Sequence, residues 1–135
     1  MAAYFSFINP ESLGAPRGYS NGVLTDGGQL LFIAGQIGWD QHQRITSDDL
    51  VAQFDQALTN MLTVVKEAGG KPEQIVRLVI YVTDKNEYRA RRKEIGERYR
   101  AHMGKHFPAM VLVEVAGLLE DDAKIEIEGI AVLGS

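Results

Sequence analysis

Two glutamates spaced by one residue, in Lys124-Ile125-Glu126-Ile127-Glu128-Gly129, are the side chains of this chain best suited to chemistry. On an extended backbone both point to one face, and Ile125 and Ile127 point to the other. A carboxylate partly withdrawn from water can hold a water molecule against an electrophilic carbon and carry protons to a leaving group. The alternative is that the pair lies on a solvated outer face.

Other chemistries are poorly served. There is no cysteine, hence no thiol nucleophile and no disulfide. No serine sits in a Gly-x-Ser-x-Gly elbow. His102 and His106 are four apart, but no acidic partner of the HExxH kind lies between them, and His42 is isolated. Gly27-Gly28 is a turn and not a phosphate loop. No metal site is expected. Fourteen basic against eighteen acidic residues give a net charge of −4, which argues against nucleic acid and anionic membrane as partners. No apolar run approaches the roughly 20 residues of a membrane span, and Met1-Ala2-Ala3-Tyr4-Phe5 lacks the basic start of a signal peptide. A cytoplasmic protein is expected.

A second candidate lies in the arginine-rich stretch 88–100. Tyr88, Ile95, Tyr99 and Met103 fall on one helical stripe. Arg92, four after Tyr88 and three before Ile95, falls on it too and is expected to face inward. A buried guanidinium needs a carboxylate. Either Glu114 or Glu128 supplies it, making Arg92 structural, or a ligand does. Its stem can also cover core while its head reaches water. Arg91, Lys93 and Arg98 face elsewhere and are expected to pair with Glu87, Glu94 and Glu97.

The elements that must position these residues read as follows. Residues 9–22 are rich in Pro, Gly, Asn and Ser and form a loop. Val23–Asp26, Gly27-Gly28 and Gln29–Ile37 predict a hairpin. Ser47 caps a helix in which Leu50, Phe54, Ala57, Leu58, Met61, Val65 and Ala68 recur at helical spacing, ended by Gly69-Gly70. Ile75–Thr83 is a strand, a second helix spans about 86–103, and strands follow at about 109–117 and 124–133. The order is ββαβαββ in a single domain, residues 1–135. Two helices cover only one face of the sheet, yet residues 30–37 and 109–116 are apolar on both. Another copy of the chain is expected to cover the second face.

Ala34-Gly35-Gln36-Ile37, Phe107-Pro108-Ala109, Val113-Glu114-Val115 and Lys124-Ile125-Glu126-Ile127-Glu128 follow one another in the order and spacing of a known family. Over roughly residues 14–133 the chain resembles the RidA (YjgF/L-PSP) family. The resemblance implies a chorismate-mutase-like α+β fold, a mixed sheet with two helices on one face, and a homotrimer with clefts between subunits. It implies hydrolysis of reactive enamines and imines (2-imino acids or related carbonyl metabolites) with release of ammonia and without a cofactor. Carried over by position, Tyr19 covers the cleft, Gly35 offers backbone groups and Glu128 orients water. The arginine that holds the substrate carboxylate in the family has its counterpart in Met110, which offers only a soft apolar surface. Leu112, on the same strand face, makes that wall more apolar. Arg92 is the candidate replacement. The alternative function is a non-catalytic small-ligand-binding or regulatory trimer of the same fold. The ribonuclease activity ascribed to some relatives finds little support in an acidic chain.

Overall fold

The computed structural model describes residues 4–134. Its strands are β1 (Tyr4–Ile8), β2 (Gly22–Asp26), β3 (Gln29–Gln36), β4 (Ile75–Val82), β5 (Ala109–Glu114) and β6 (Ile125–Leu133). The helices are α1 (Leu50–Glu67), α2 (Lys85–Ala90) and α3 (Arg92–Met103). The main sheet is mixed, in the order β3-β6-β4-β5, with β4 and β5 parallel and the other pairs antiparallel. β1 and β2 form a separate two-stranded sheet. The expected α+β class is present.

α1 forms where the sequence repeats apolar residues at helical spacing. Leu50, Phe54, Ala57, Leu58, Met61 and Val65 are all buried against β3, β6 and α3. Truncating one of the larger of these to alanine costs about 2–5 kcal/mol. Gly129 is what lets α1 sit this close. A Cβ there would lie 2.7 Å from the Arg77 carbonyl oxygen and 2.9 Å from Met61 Cε. The cap of α1 lies two residues later than expected. Asp49, not Ser47, accepts from the Ala52 N–H at 3.0 Å, while the Ser47 hydroxyl accepts from the Asp49 N–H. Gln53, fully buried, ties α1 to the turn before β6. It donates to the carbonyls of Ser47 and Asp122 and accepts from the Lys124 N–H.

Two expectations are corrected. The predicted hairpin has the right strands but the wrong partners. β2 pairs with β1 from Tyr4↔Asp26 to Ile8↔Gly22, and β3 pairs with β6. The predicted helix over 86–103 is two helices. Arg91 breaks it, at φ −108° and ψ 15°, because its side chain reaches back to Asp49 at 2.8 Å and across to Glu94 at 2.6 Å. The strand faces follow the predicted alternation. Ile125, Ile127, Leu78, Ile80 and Val82 are buried under the helices. On the opposite face Leu30 (63 %), Phe32 (70 %), Val111 (40 %) and Val113 (39 %) stay exposed in the single chain.

Candidate functional site

The expected site residues fall on the two faces of the sheet. On the helix face, Met110 stands beside Leu78 and Leu112 beside Ile80 in the β4–β5 register. They floor a cleft of about 550 Å³ that is also lined by Tyr19 and Arg92. Tyr19 reaches it because Ser20 is fastened to the start of β5. The Ser20 N–H donates to the Pro108 carbonyl at 3.0 Å and its hydroxyl to the Phe107 carbonyl at 2.5 Å. On the other face, Gly35 and Glu128 line a smaller hollow with Tyr81 and Glu126. One chain does not bring Glu128 and Arg92 into one cavity.

Arg92 is exposed at the rim of its cleft and does not face inward as expected, because α3 begins afresh at this residue after the break. Ile95, Tyr99 and Met103 are buried as the stripe predicts. Neither structural partner expected for Arg92 is used. The Glu114 carboxylate accepts from the Lys85 N–H at 2.8 Å, and Glu128 accepts from the Tyr81 hydroxyl. Among the described residues Arg92 makes no ion pair. Of its neighbours, Arg91 pairs with Glu94 at the expected helical spacing, whereas Arg98 reaches Asp55 on α1 at 2.8 Å.

The hollow around Glu128 is built by strand pairing. β6 puts Glu126 opposite Tyr81 and Glu128 opposite Val79, so the Tyr81 phenol meets Glu128 diagonally. That hydrogen bond, with desolvation and the negative charges of Glu128 and Glu126, raises the Tyr81 pKa above its ordinary 10.0. The phenol therefore remains a donor at neutral pH. Gly35 lies where β3 slips register against β6 between Ile33 and Gln36. A Cβ there would come within 2.5 Å of Glu126 Oε2, so glycine lets that carboxylate lie over the strand. One oxygen of Glu128 is occupied by Tyr81, and the second is available to a water molecule. This is an arrangement for general-base chemistry.

The sequence reading missed Tyr81, because its partnership with Glu128 depends on the register of two strands more than forty residues apart. It also missed the basic rim of the cleft, where Arg17, Lys85, Arg89 and Arg100 join Arg92. Two of the three histidines take structural places. His106 is buried with Nε2 2.6 Å from the Ile75 carbonyl oxygen, and His102 contacts Asp55 at 2.7 Å. No cluster of three or more metal-ligating side chains occurs among the described residues. Among the described residues no helix is long and apolar enough to cross a membrane.

Comparison with known proteins agrees with this architecture. The family model described as endoribonuclease L-PSP matches residues 10–133. A 2-iminobutanoate/2-iminopropanoate deaminase of Salmonella typhimurium is 38 % identical over 117 residues, covering 84 % of this chain and 86 % of the relative. Its namesake in Homo sapiens is 32 % identical over 122 residues, covering 90 % and 84 %. Among solved structures, the conserved Rid-family protein YyfB of Yersinia pestis, of unknown function, superposes with a TM-score of 0.85. It is 33 % identical and the match covers 96 % of this chain and 98 % of that one.

Proposed function

The chain belongs to the RidA (YjgF/L-PSP) family, and from that premise we propose that it hydrolyses 2-imino acids or their enamine tautomers to 2-oxo acids and ammonia. The observation that carries the reading is Glu128, held by the Tyr81 hydroxyl in the hollow beside Gly35. Glu128 takes a proton from water as the water oxygen bonds to the imine carbon. The carbon–nitrogen π electrons move to nitrogen, which takes that proton to give the carbinolamine. Glu128 then passes the remaining hydroxyl proton to nitrogen as the carbonyl forms, the carbon–nitrogen single bond breaks and ammonia leaves.

The working site is a composite of two copies. The cleft under α3 and the hollow at Glu128 lie on opposite faces of one sheet, and the latter face carries bare apolar residues. A homotrimer buries those residues and sets the Glu128 hollow of one protomer against the cleft of the next. The two deaminase relatives support the reaction, and the bare apolar face supports the assembly. A cytoplasmic location belongs to the same reading, since imines arise where amino acids are metabolised.

The test is ammonia release from freshly generated 2-iminopropanoate and 2-iminobutanoate, with sedimentation of the same preparation. Turnover that Glu128→Gln lowers at least 100-fold in an unchanged oligomer supports the proposal. A folded monomer, or a Glu128→Gln variant of undiminished rate, overturns it. Met110 favours a second reading, a ligand-binding trimer without turnover, because methionine cannot pair a carboxylate. Binding of 2-oxo acids with no ammonia released by any imino acid would select it. Met110→Arg is expected to raise turnover of 2-iminopropanoate.

A further inference from the structure

The cleft under α3 is larger and greasier than a three- or four-carbon imino acid requires. In the single chain, before a neighbouring protomer closes its mouth, it measures about 550 Å³, in the range of sites that enclose much larger molecules. Its floor is Phe54, Ile80, Ile95, Met110 and Leu112, without a charged group among them. A 2-iminopropanoate-sized ligand would leave most of that surface uncovered, whereas each further buried methylene strengthens binding several-fold.

The mouth is electrostatically one-sided. Five cations stand there, Arg17, Lys85, Arg89, Arg92 and Arg100, against the single carboxylate of Glu114. Among the described residues none of the five side chains makes a hydrogen bond or ion pair. Arg91 and Arg98, whose guanidinium groups belong to other contacts, are both paired. Unpaired cations thus gather over an apolar floor in a chain of net charge −4. Arg92 is the best placed of them. It stands between Tyr88 and Ile95, both of which line the cleft, and its charge acts on the Tyr88 phenol.

We infer that this cleft selects amphipathic carboxylates, namely 2-imino and 2-oxo acids bearing a branched or aromatic side chain, with the carboxylate on Arg92 and the side chain on the floor at Met110 and Leu112. The inference deepens the deaminase reading by naming its substrate class, but binding tests it without turnover.

The experiment is calorimetric titration of the intact protein with pyruvate, 4-methyl-2-oxopentanoate, phenylpyruvate and 2-oxoglutarate. The two apolar acids are expected to bind at least tenfold tighter than pyruvate and 2-oxoglutarate. Arg92→Ala is expected to weaken their binding at least tenfold, with partial recovery in Arg92→Lys, which keeps the charge but loses the fork. Pyruvate or 2-oxoglutarate binding as tightly as phenylpyruvate overturns the inference. So does unchanged affinity in Arg92→Ala. Retention of single-stranded RNA at about 0.15 M salt, abolished by Arg92→Ala, overturns it too by assigning the rim to a phosphate backbone. Tight phenylpyruvate binding with no ammonia from any imino acid rejects the deaminase reading and leaves the inference standing. Fast turnover of 2-iminopropanoate with weak phenylpyruvate binding does the reverse.

Discussion

The Tyr81 hydroxyl donates to Oε1 of Glu128 across the pairing of β4 with β6, fixing the one carboxylate proposed to activate water. A hydrogen bond to a charged group contributes about 1.5–3 kcal/mol, or roughly 10- to 150-fold in rate if it acts only in the reaction. Tyr81→Phe is therefore expected to lower kcat at least tenfold while KM changes little. Steady-state kinetics on an imino acid checks this, and an unchanged kcat removes Tyr81 from the mechanism.

Arg91 and Arg92 are adjacent but are expected to behave oppositely. Arg91 joins α3 to the cap of α1 through Asp49 and bonds Glu94, all partly exposed. Its loss is expected to cost up to about 1 kcal/mol, as for other exposed ion pairs. Arg92 has no such partner, so Arg92→Ala is expected to leave the melting temperature within error while removing carboxylate binding. Denaturant unfolding of the two variants, run beside ligand titrations, separates the roles.

Gly129→Ala is expected to destabilise the fold by about 1–3 kcal/mol through overpacking. Its added methyl would meet the backbone oxygen of Arg77 as well as Met61 Cε, and the backbone of a central strand has little room to retreat. Thermal or urea unfolding reads this directly. A variant as stable as the wild type would mean that α1 can lift off β6 at small cost.

Acid is expected to weaken the protein below about pH 4. Asp40, Asp49 and Asp55 are all held below the ordinary 3.8. Asp40 is lowered mainly by the backbone N–H of Arg44, and Asp49 mainly by the Arg91 guanidinium. For Asp55, burial acts in the raising direction and is outweighed by hydrogen bonds from Arg98 and His102. The unfolded chain takes up these protons more readily than the folded one. The stabilisation is therefore complete above the unfolded pKa and is lost as pH falls through the folded values. Melting temperatures between pH 7 and pH 3 should be flat and then fall, and Asp55→Asn should shallow the fall.

The parts of the structure that were legible in sequence are those set by local periodicity. The α1 stripe from Leu50 to Val65 and the alternation of Ile125 and Ile127 with Glu126 and Glu128 follow from the repeat of the backbone itself. What was not legible depends on partners distant in the chain. β2 alternates well enough for a hairpin, yet Tyr4–Ile8 competes for its edge and takes it. Arg91 carries no glycine or proline to mark a helix break. The break comes from an ion pair with Asp49, forty-two residues earlier. Glu128 could be placed on a face from sequence, but its phenolic donor and the separation of its hollow from the Arg92 cleft required the sheet.

The order β3-β6-β4-β5 has a consequence for how the protein is made. β6 sits between β3 and β4 but follows both in the chain, at residues 125–133. During synthesis β3 and β4 emerge with no strand to join them, their inner edges open and their apolar faces wet. α1 and α3 can form early, since their bonds are local, but the surface they pack on is assembled only when the last strand arrives. Folding is then deferred to the release of these nine residues and proceeds through distant pairings, which are slow to close. A pause in translation before residue 125 would leave a nascent chain dependent on chaperones.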